Sequence, residues 1–286
     1  MSEIAPLIQF SEVHYRYPYV REGEESPEVL SKLNVTIEAG TFVAILGANG
    51  SGKSTMAKHM NALLLPTRGQ VTVTGLETQL PENAVPIRRQ VGMVFQNPDN
   101  QIVATLVEED VAFGPENLGL STEEIHQRVE AALRSVGMWD QRTRAPHILS
   151  GGQKQRTAIA GVIAMYPKLI VFDEATAMLD PLGRQEVMDS IATLKSEGIS
   201  IVLITHHMNE AMQADRVLLL HEGCIVADGT PREVFSMSAL LEQCRLDMPP
   251  VARLAQQLNT EGLLPRADIL SVDEMVEEIC RLKSIT

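Results

Sequence analysis

A glycine-rich stretch has the residue types and spacing of a loop that binds phosphate groups. Residues 47–54 read GANGSGKS and fit the pattern G-x-x-x-x-G-K-[ST], the P-loop. Glycines at such positions let consecutive backbone N–H groups curl around phosphate oxygens. Lys53 is long enough to reach the β- and γ-phosphates of a nucleotide, and the Ser54 hydroxyl can ligate Mg²⁺. The predicted nucleotide contacts are Gly47, Asn49, Gly50, Ser51, Gly52, Lys53, Ser54 and Thr55.

The sequence on either side of residues 47–54 supports this interpretation. Residues 41–46 form a short apolar run rich in β-formers, which predicts a buried strand. Residues 55–63 have helical character, so the positive end of a helix dipole would face the phosphates. The alternative is a chance glycine turn before an ordinary helix, and the order strand, loop, helix argues against it.

A second apolar run ends in two carboxylates. Residues 169–172 read LIVF and predict a buried strand, and Asp173 and Glu174 follow directly. A strand end beside the P-loop is where Mg²⁺ needs a carboxylate, so Asp173 suits the metal, directly or through water. Glu174 lies just beyond and suits polarisation of an attacking water. Many strands end in acidic residues, and it is the P-loop upstream that makes this pair specific.

The string LSGGQKQR at residues 149–156 is the most specific in the chain. Two glycines after a serine open a predicted helix and create a second anion-binding N-terminus. Because the P-loop of the same chain already holds the phosphates from one side, this N-terminus is best used on the nucleotide of another subunit. A glycine-rich helix cap without a ligand is the alternative. The predicted nucleotide contacts here are Ser150, Gly151, Gly152 and Gln153.

The P-loop, LSGGQ and LIVFDE strings, in this order, resemble an ATP-binding cassette (ABC) ATPase over roughly residues 7–235. The resemblance implies ATP and Mg²⁺ as cofactors and a head-to-tail pair of cassettes, in which each ATP lies between one P-loop and the opposite LSGGQ. Gln96 matches the glutamine that senses Mg²⁺ and the membrane partner. Asp180 matches the loop that crosses the dimer interface, although that loop more usually begins with serine where this chain has Ala177.

Two further positions matched by this resemblance have a rival nearby. His206 matches the switch histidine near the γ-phosphate, and we expect His207 to point elsewhere because neighbouring side chains on an extended segment diverge. Tyr17 matches the aromatic residue that stacks on adenine, and Tyr15 is its rival. The expected catalytic residues are Glu174, His206 and Gln96, and the expected metal ligands are Ser54, Gln96 and Asp173.

Residues 96–117 carry a closer resemblance to one branch of this family. The strings QNPDNQIVAT and VEEDVAFGPEN are similar to those of the energy-coupling factor (ECF) transporters, which import cobalt and vitamins, and in particular to the first of their two ATPase subunits. The EATAMLD string and a helical tail after residue 247 are similar to that branch too. In such systems two ATPases sit under a transmembrane coupling subunit that carries a small substrate-binding membrane protein. The resemblance assigns much of the groove for the coupling helices to the segment after Gln96; an ordinary acidic surface loop and helix at 97–117 is the alternative.

The expected fold is α/β: a P-loop NTPase cassette with a mixed sheet core, an antiparallel β subdomain, a helical subdomain at about 105–166 and a C-terminal helical extension. We assign residues 1–235 to the cassette and 236–286 to the extension, with inter-subunit contacts expected there. Residues 19–28 are expected to form a surface loop. Predicted strands are 7–15, 33–37, 41–46, 70–75, 91–95, 168–172 and 199–204, with a hairpin of 217–220 and 224–228; predicted helices are 105–116, 121–136, 151–164 and 181–197, with two more in 251–286.

Two local patterns refine these helices. Ser121, with Glu124 three residues later, predicts a capping box at one helix start. In the tail, a set of apolar residues recurs at helical spacing and predicts either one packed face or a subunit interface. The set is Ile269, Val272, Met275, Val276, Ile279 and Leu282.

Composition narrows the class of protein. The net charge of −13 argues against a protein that acts on nucleic acid, which needs a basic surface. No apolar run approaches the roughly 18 residues that span a bilayer, and the first residues lack the pattern of a signal peptide. The three cysteines have no metal-ligand spacing and are expected to be reduced structural thiols. A membrane role therefore has to come through a partner.

These observations predict a peripheral ATPase on the cytoplasmic face of the cell membrane that powers uptake of a micronutrient. Its partners would be a second ABC ATPase, either a paralogue or another copy, a coupling subunit and a membrane substrate-binding subunit, with no nucleic acid. The alternatives are the ATPase of an ordinary ABC transporter and a soluble ABC ATPase acting on nucleic acid or ribosomes. The sequence leaves the cargo open among vitamins, cobalt and nickel.

Overall fold

A six-stranded mixed sheet forms the centre of the protein, as expected. The computed structural model describes residues 6–18 and 26–283. The strands of this sheet are β3 (Phe42–Leu46), β6 (Val91–Val94), β7 (Leu169–Asp173), β8 (Ser200–Ile204), β9 (Arg216–His221) and β10 (Cys224–Gly229). Their spatial order is β10-β9-β3-β8-β7-β6, and all neighbours are parallel except the β9–β10 hairpin. Every residue of β3, β7 and β8 is buried, because helices or the second sheet cover both faces.

A separate four-stranded antiparallel sheet covers one side of the P-loop helix. It contains β1 (Ile8–Arg16), β2 (Glu28–Ile37), β4 (Arg68–Val73) and β5 (Leu76–Glu77), in the order β2-β1-β4-β5. Phe10 and Val71 from this sheet share one apolar cluster with Val43 and Ile45 of the central sheet. Of the surface loop predicted at 19–28, residues 19–25 lie outside the described residues, and β2 already begins at Glu28.

Eleven α-helices occur in the described residues. They are α1 (Lys53–Met60), α2 (Ala84–Gln90), α3 (Val107–Asn117), α4 (Thr122–Ser135), α5 (Gly151–Ile163), α6 (Pro181–Ser196), α7 (Met208–Ala211), α8 (Pro231–Ser236), α9 (Ser238–Gln243), α10 (Pro250–Thr260) and α11 (Val272–Lys283). The three longer helices predicted within 105–166 correspond to α3, α4 and α5, which bury Val111, Leu133 and Ile159 in one cluster with the central sheet. The short helices α2, α7, α8 and α9 were not predicted, since they are too short to show a helical period.

The start of α4 differs from its prediction. The Ser121 hydroxyl accepts a hydrogen bond from the Glu124 amide at 3.3 Å, which is half of a capping box. The Glu124 carboxylate pairs instead with Arg128 one turn later, at 2.6 Å. A complete box forms at α5, where Ser150 and Gln153 exchange both hydrogen bonds. The Arg128 guanidinium binds the Glu124 carboxylate in place of the Ser121 amide, because residues four apart on a helix lie on the same face.

The apolar stripe of the tail divides between two faces. Ile269 and Met275 are buried and pack with Leu264 beneath α10 and α11. Val272 and Val276 are 62% and 51% exposed, and Ile279 is also exposed. The prediction that all six residues form one packed face is therefore wrong. The stripe is wider than the surface that α10 offers to α11.

We expect Leu133→Ala to lower the free energy of unfolding by about 2–5 kcal/mol, because it leaves a cavity among α3, α4 and α5. Leu133 is fully buried, whereas Leu182, on α6, is 71% exposed. Leu182→Ala is therefore the matched control and should change stability by less than about 0.5 kcal/mol. Chemical denaturation of the purified chain measures both values. Equal losses would contradict the assignment of this cluster as core.

Candidate nucleotide-binding site

The P-loop connects the end of β3 to the start of α1. Gly47 lies so close to β9 that a Cβ there would be 2.3 Å from the Leu220 carbonyl oxygen, so the backbone leaves no room for a side chain. Gly52 precedes α1 with φ of 105°, a left-handed conformation that favours glycine. It carries no side-chain cap, so the first amides of α1 stay available to an anion.

The Lys53 ammonium is held against this loop. Its Nζ donates to the carbonyl oxygens of Gly47 at 2.8 Å and Ala48 at 3.1 Å. It also lies 3.8 Å from a carboxylate oxygen of Glu174. Burial lowers the pKa of Lys53 below its usual value, while the charges of Glu174 and Asp173 act in the opposite direction. The positive charge is thus kept beside the loop by local acceptors and acidic neighbours.

Ser54 and Asp173 meet although the strands that lead to them, β3 and β7, are not neighbours. The Ser54 hydroxyl donates to Asp173 Oδ1 at 2.7 Å. The strand of Asp173 ends beside the P-loop, as expected, although β8 lies between β3 and β7 in the sheet. The helix that follows the loop carries Ser54 across β8. Burial raises the pKa of Asp173, partly offset by the Ser54 hydrogen bond.

A hydroxyl next to a buried carboxylate fits Mg²⁺, which prefers oxygen ligands and binds proteins through few of them. Within the described residues, no group of three or more His, Cys, Asp or Glu side chains could hold a metal ion by itself. A metal at this position would therefore take its remaining ligands from water and phosphate. The donor set of Ser54 and Asp173 is compatible with that arrangement.

Glu174 follows the end of β7 in an uncommon backbone conformation. Its φ is 51°, in the left-handed region that is rare for a residue with a side chain. Its amide donates to the Ile204 carbonyl at 3.0 Å, which fixes this turn against β8. The Gln96 side-chain amide donates to Glu174 Oε2 at 3.2 Å. The structure thus brings together Gln96, Glu174 and Lys53.

The aromatic residues at the end of β1 occupy different environments. The Tyr17 ring is 39% exposed, and its hydroxyl lies 3.0 Å from Thr55 Oγ1. Tyr15 is 5% exposed and lies behind Tyr17. Tyr17 lines a cavity of about 410 Å³ together with residues of the P-loop and Glu174. Tyr17, unlike Tyr15, therefore faces the space next to the loop.

The helix N-terminus at Ser150 faces a different part of the surface. Ser150, Gly151, Gly152 and Gln153 line a cavity of about 390 Å³ that shares no residue with the P-loop cavity. Asp180 lines the same cavity and caps α6 by accepting the Gly183 amide at 2.7 Å. The structure therefore does not bring these five residues to the P-loop of their own chain.

The two histidines after β8 do not point apart as expected. Their ring centroids are 4.1 Å apart. β8 ends at Ile204, and His207 already occupies the position before α7, so the side chains do not alternate as they would on a strand. His206 is exposed and His207 is half-buried. Both line a cavity of about 610 Å³ whose other wall includes Pro250 at the start of α10.

A second, more apolar groove of about 440 Å³ lies between α2, α3 and α5. Val103 and Phe113 line it and are 66% and 53% exposed. The α2 wall, with Val85 and Arg88, was missed by sequence reasoning, which considered only residues 97–117. A helix of seven residues that contains a proline is too weak a signal to identify this wall from the sequence.

Comparison with known proteins agrees with this geometry. The ABC transporter family matches residues 30–177. The chain is 55% identical to the energy-coupling factor transporter ATP-binding protein EcfA1 of Caldanaerobacter subterraneus subsp. tengcongensis, over 97% of this chain and 100% of that protein. It is 44% identical to the cobalt import ATP-binding protein CbiO of Syntrophus aciditrophicus, over 97% of this chain and 98% of that protein. A solved dimer of the ATP-binding cassette MJ0796, in a post-hydrolysis state with ADP and Pi, has a TM-score of 0.70 and 31% identity, covering 78% of this chain and 98% of that chain.

The chain therefore belongs to the ABC transporter family, and within it to the energy-coupling factor ATP-binding subunits. It binds ATP, and its hydrolysis of ATP is coupled to transport. The protein is membrane-associated and works with a second ATPase and membrane components. In the part of the chain that the structure describes, no helix is both long and apolar enough to cross a bilayer. The predictions of family, fold class and ATP-driven transport are confirmed.

We expect Lys53→Ala to weaken nucleotide binding by about tenfold or more, because a hydrogen bond to a charged group contributes roughly 1.5–3 kcal/mol. Titration with a labelled ATP analogue measures the dissociation constant. Lys32→Ala is the control, since the Lys32 side chain is 69% exposed on β2. Unchanged affinity in the Lys53 variant would contradict the assignment of the loop.

Proposed function

We propose that this chain is the ATP-hydrolysing subunit of an ECF-type transporter that powers uptake of a micronutrient, either a vitamin or a transition-metal cation. The observation that carries the proposal is that one chain has two glycine-rich helix N-termini in separate cavities, each with free amides suited to a phosphate. Such a chain completes its site only by pairing with another cassette. The relatedness to EcfA1 and to the cobalt import subunit CbiO supports the transporter class and the kind of cargo.

In the proposed site the P-loop amides and Lys53 bind the β- and γ-phosphates of ATP, and the ring of Tyr17 stacks on the adenine. The Lys53 ammonium is already held beside the loop, and on binding it would exchange its carbonyl acceptors for phosphate oxygens. Ser54, Asp173 and Gln96 would hold Mg²⁺, which neutralises phosphate charge when bound. Asn49, Gly50 and Thr55 line the same cavity as Tyr17, and buried Ser51 is proposed to complete the contacts of this half-site.

Glu174 is the proposed general base. It accepts a proton from the water that attacks the γ-phosphate, and the bond from the phosphorus to the leaving ADP oxygen then breaks. Gln96 and Lys53 hold the carboxylate from two sides, which orients it before the water arrives. His206 lies on the exposed turn after β8 and is proposed to contact the γ-phosphate, with His207 behind it.

The second half of each site is proposed to come from the partner cassette. The Ser150–Gln153 box uses the amide of Gln153 internally, so the amides of Gly151 and Gly152 remain for a phosphate. Asp180 caps α6 beside them, where it would order the loop that crosses the interface. The partner is a paralogue or another copy of this chain. Both half-sites are intact here, so a homodimer is chemically feasible.

The apolar groove between α2, α3 and α5 is the proposed seat of the transmembrane coupling subunit. Its exposed Val103 and Phe113 suit the apolar face of an amphipathic helix, and Arg88 lies on its wall. The Gln101 side-chain amide donates a hydrogen bond to the Ala158 carbonyl oxygen of α5 at 3.4 Å. This bond links the groove to the helix that begins after Ser150. Motion of α5 on ATP binding would thereby reach the membrane partner. The chain would lie on the cytoplasmic face of the membrane.

Two other functions use the same chemistry. The ATPase of an ordinary ABC transporter differs only in its partners, and the high identity to EcfA1 along the chain favours the ECF type. A soluble ATPase acting on nucleic acid or ribosomes is disfavoured by the net charge of −13.

Affinity purification of the tagged chain from gently solubilised native membranes separates these functions. If the ECF assignment is right, the chain copurifies with one larger membrane protein and one small hydrophobic protein. It also copurifies with a second, non-identical ATPase, unless another copy of this chain takes that place. Conventional permease subunits with a soluble binding protein would replace it by an ordinary importer. Recovery with ribosomes or DNA, and no membrane protein, would overturn the transport function.

We expect Glu174→Gln to lower ATP turnover by about 10²–10⁴-fold while ATP stays bound in a closed dimer, because glutamine cannot accept the proton of the attacking water. Steady-state hydrolysis and size-exclusion chromatography with ATP measure the two effects. Glu197→Gln, an exposed position after α6, is the control. Near-normal hydrolysis in Glu174→Gln would remove Glu174 as the base.

We expect Ser150→Asp to leave nucleotide affinity of the isolated chain unchanged but to abolish hydrolysis in the assembled transporter. Aspartate still caps a helix, yet its charge would repel the phosphates of the partner's ATP. Ser150→Asn is the matched control, since it caps without adding charge. A loss of affinity in the isolated chain would mean that Ser150 acts on the nucleotide of its own chain, contrary to the proposal.

A further inference from the structure

The buried imidazole of His59 has no part in the chemistry described above. His59 lies on the inner face of α1 and is 0% exposed, within an otherwise apolar cluster. Its Nδ1 lies 2.7 Å from the Thr55 carbonyl oxygen one turn earlier, so Nδ1 carries the proton and donates it. Burial lowers the pKa of His59, while hydrogen bonds to the backbone of Thr55 and Leu65 act in the opposite direction. A leucine would fill such a position without the cost of burying a polar ring.

A continuous set of contacts connects His59 to the exposed Tyr17 ring. The His59 ring packs edge-to-face on Tyr15, with centroids 4.8 Å apart and an interplanar angle of 81°. Tyr15 packs in the same way on Tyr17, at 4.9 Å and 84°. Both distances and angles are those of favourable aromatic pairs. Tyr17 is therefore supported from behind by two buried rings.

A second route joins the same residues through Thr55. The Tyr17 hydroxyl lies 3.0 Å from Thr55 Oγ1, and the Thr55 carbonyl oxygen accepts a hydrogen bond from His59 Nδ1. Thr55 lies in the first turn of α1 and is 6% exposed. The four residues close a ring of contacts, with Tyr17 as its one exposed member. Such a ring holds Tyr17 at both its aromatic face and its hydroxyl.

We infer that His59 is a positioning residue for the nucleotide base: it holds the Tyr17 ring, through Tyr15 and Thr55, in the orientation that stacks on adenine. An exposed tyrosine that is free to rotate loses side-chain entropy when a base stacks on it. Contacts that order the ring beforehand remove this cost. The inference rests on the proposed role of Tyr17 in the ATP site. It concerns affinity for the base, since His59 contacts Thr55 through the backbone carbonyl oxygen, which is not a group that donates to phosphate.

The test compares ATP with inorganic tripolyphosphate, which carries the phosphates without a base. We expect His59→Leu to weaken binding of ATP by about fivefold and to leave binding of tripolyphosphate unchanged. Isothermal titration of the purified full chain measures both affinities. Retained tripolyphosphate binding also shows that the variant is folded. His59→Phe keeps the aromatic contact with Tyr15 and is expected to recover part of the ATP affinity.

A double-mutant cycle with Tyr17 isolates the mechanism. Tyr17→Ala should weaken ATP binding by about tenfold, since stacking of a base on an aromatic ring is lost. The variant with both changes should bind ATP no more weakly than Tyr17→Ala alone, because His59 acts only through Tyr17. Losses that multiply in the double variant would overturn the inference.

The remaining outcomes separate this inference from the proposed function. If His59→Leu weakens ATP and tripolyphosphate equally, or neither, His59 is a structural residue and the inference fails while the ATP site stands. If Tyr17→Ala does not distinguish ATP from tripolyphosphate, the assignment of Tyr17 to the base falls, and the inference falls with it. If the unmodified chain binds neither ligand, the proposed function itself is wrong.

Discussion

The hydrogen bond between Ser54 and Asp173 depends on nearly every layer of the fold. It joins the first turn of the P-loop helix to the end of β7, with β8 between their parent strands. Parallel strands are required, because only then do loop, carboxylate and turn emerge at the same edge of the sheet. The apolar runs of β3, β7 and β8 bury that sheet on both faces. A slip of one strand would separate the two side chains that are proposed to hold Mg²⁺.

Side chains of opposite charge lie close together at this edge of the sheet. Lys53 lies between loop carbonyls and Glu174, while Glu174 also accepts from Gln96. A triphosphate bound at the proposed site would compete with these acceptors for Lys53. Glu174 is held meanwhile by a backbone conformation that its amide bond to Ile204 enforces. Contacts within the chain thus hold the Glu174 carboxylate and the Lys53 ammonium next to each other.

Two further surfaces, at the N-terminus of α5 and in the apolar groove, are proposed to contact partner proteins. The capped N-terminus of α5 is exposed in its own cavity, and α5 also forms one wall of the apolar groove. One rigid helix therefore touches both the site proposed for the partner's phosphate and the site proposed for the membrane subunit. The C-terminal extension adds a further surface, where Val272 and Val276 remain exposed beside the buried Met275. α10 also shares a cavity with the two histidines after β8.

The sequence by itself determined the local chemistry. The P-loop pattern, the DE pair and the capped glycine pair each depend on neighbours a few residues apart, and apolar periodicity located the long helices and buried strands. Only the tertiary structure decided which of these meet. It separated β7 from β3 by β8, directed the Glu124 side chain to Arg128, divided the stripe of α11 between two faces and turned the histidine rings toward each other. It also enclosed His59 behind Tyr15. These outcomes follow from contacts between residues distant in the chain or from competition among alternative partners, and spacing along a sequence does not show which partner is selected.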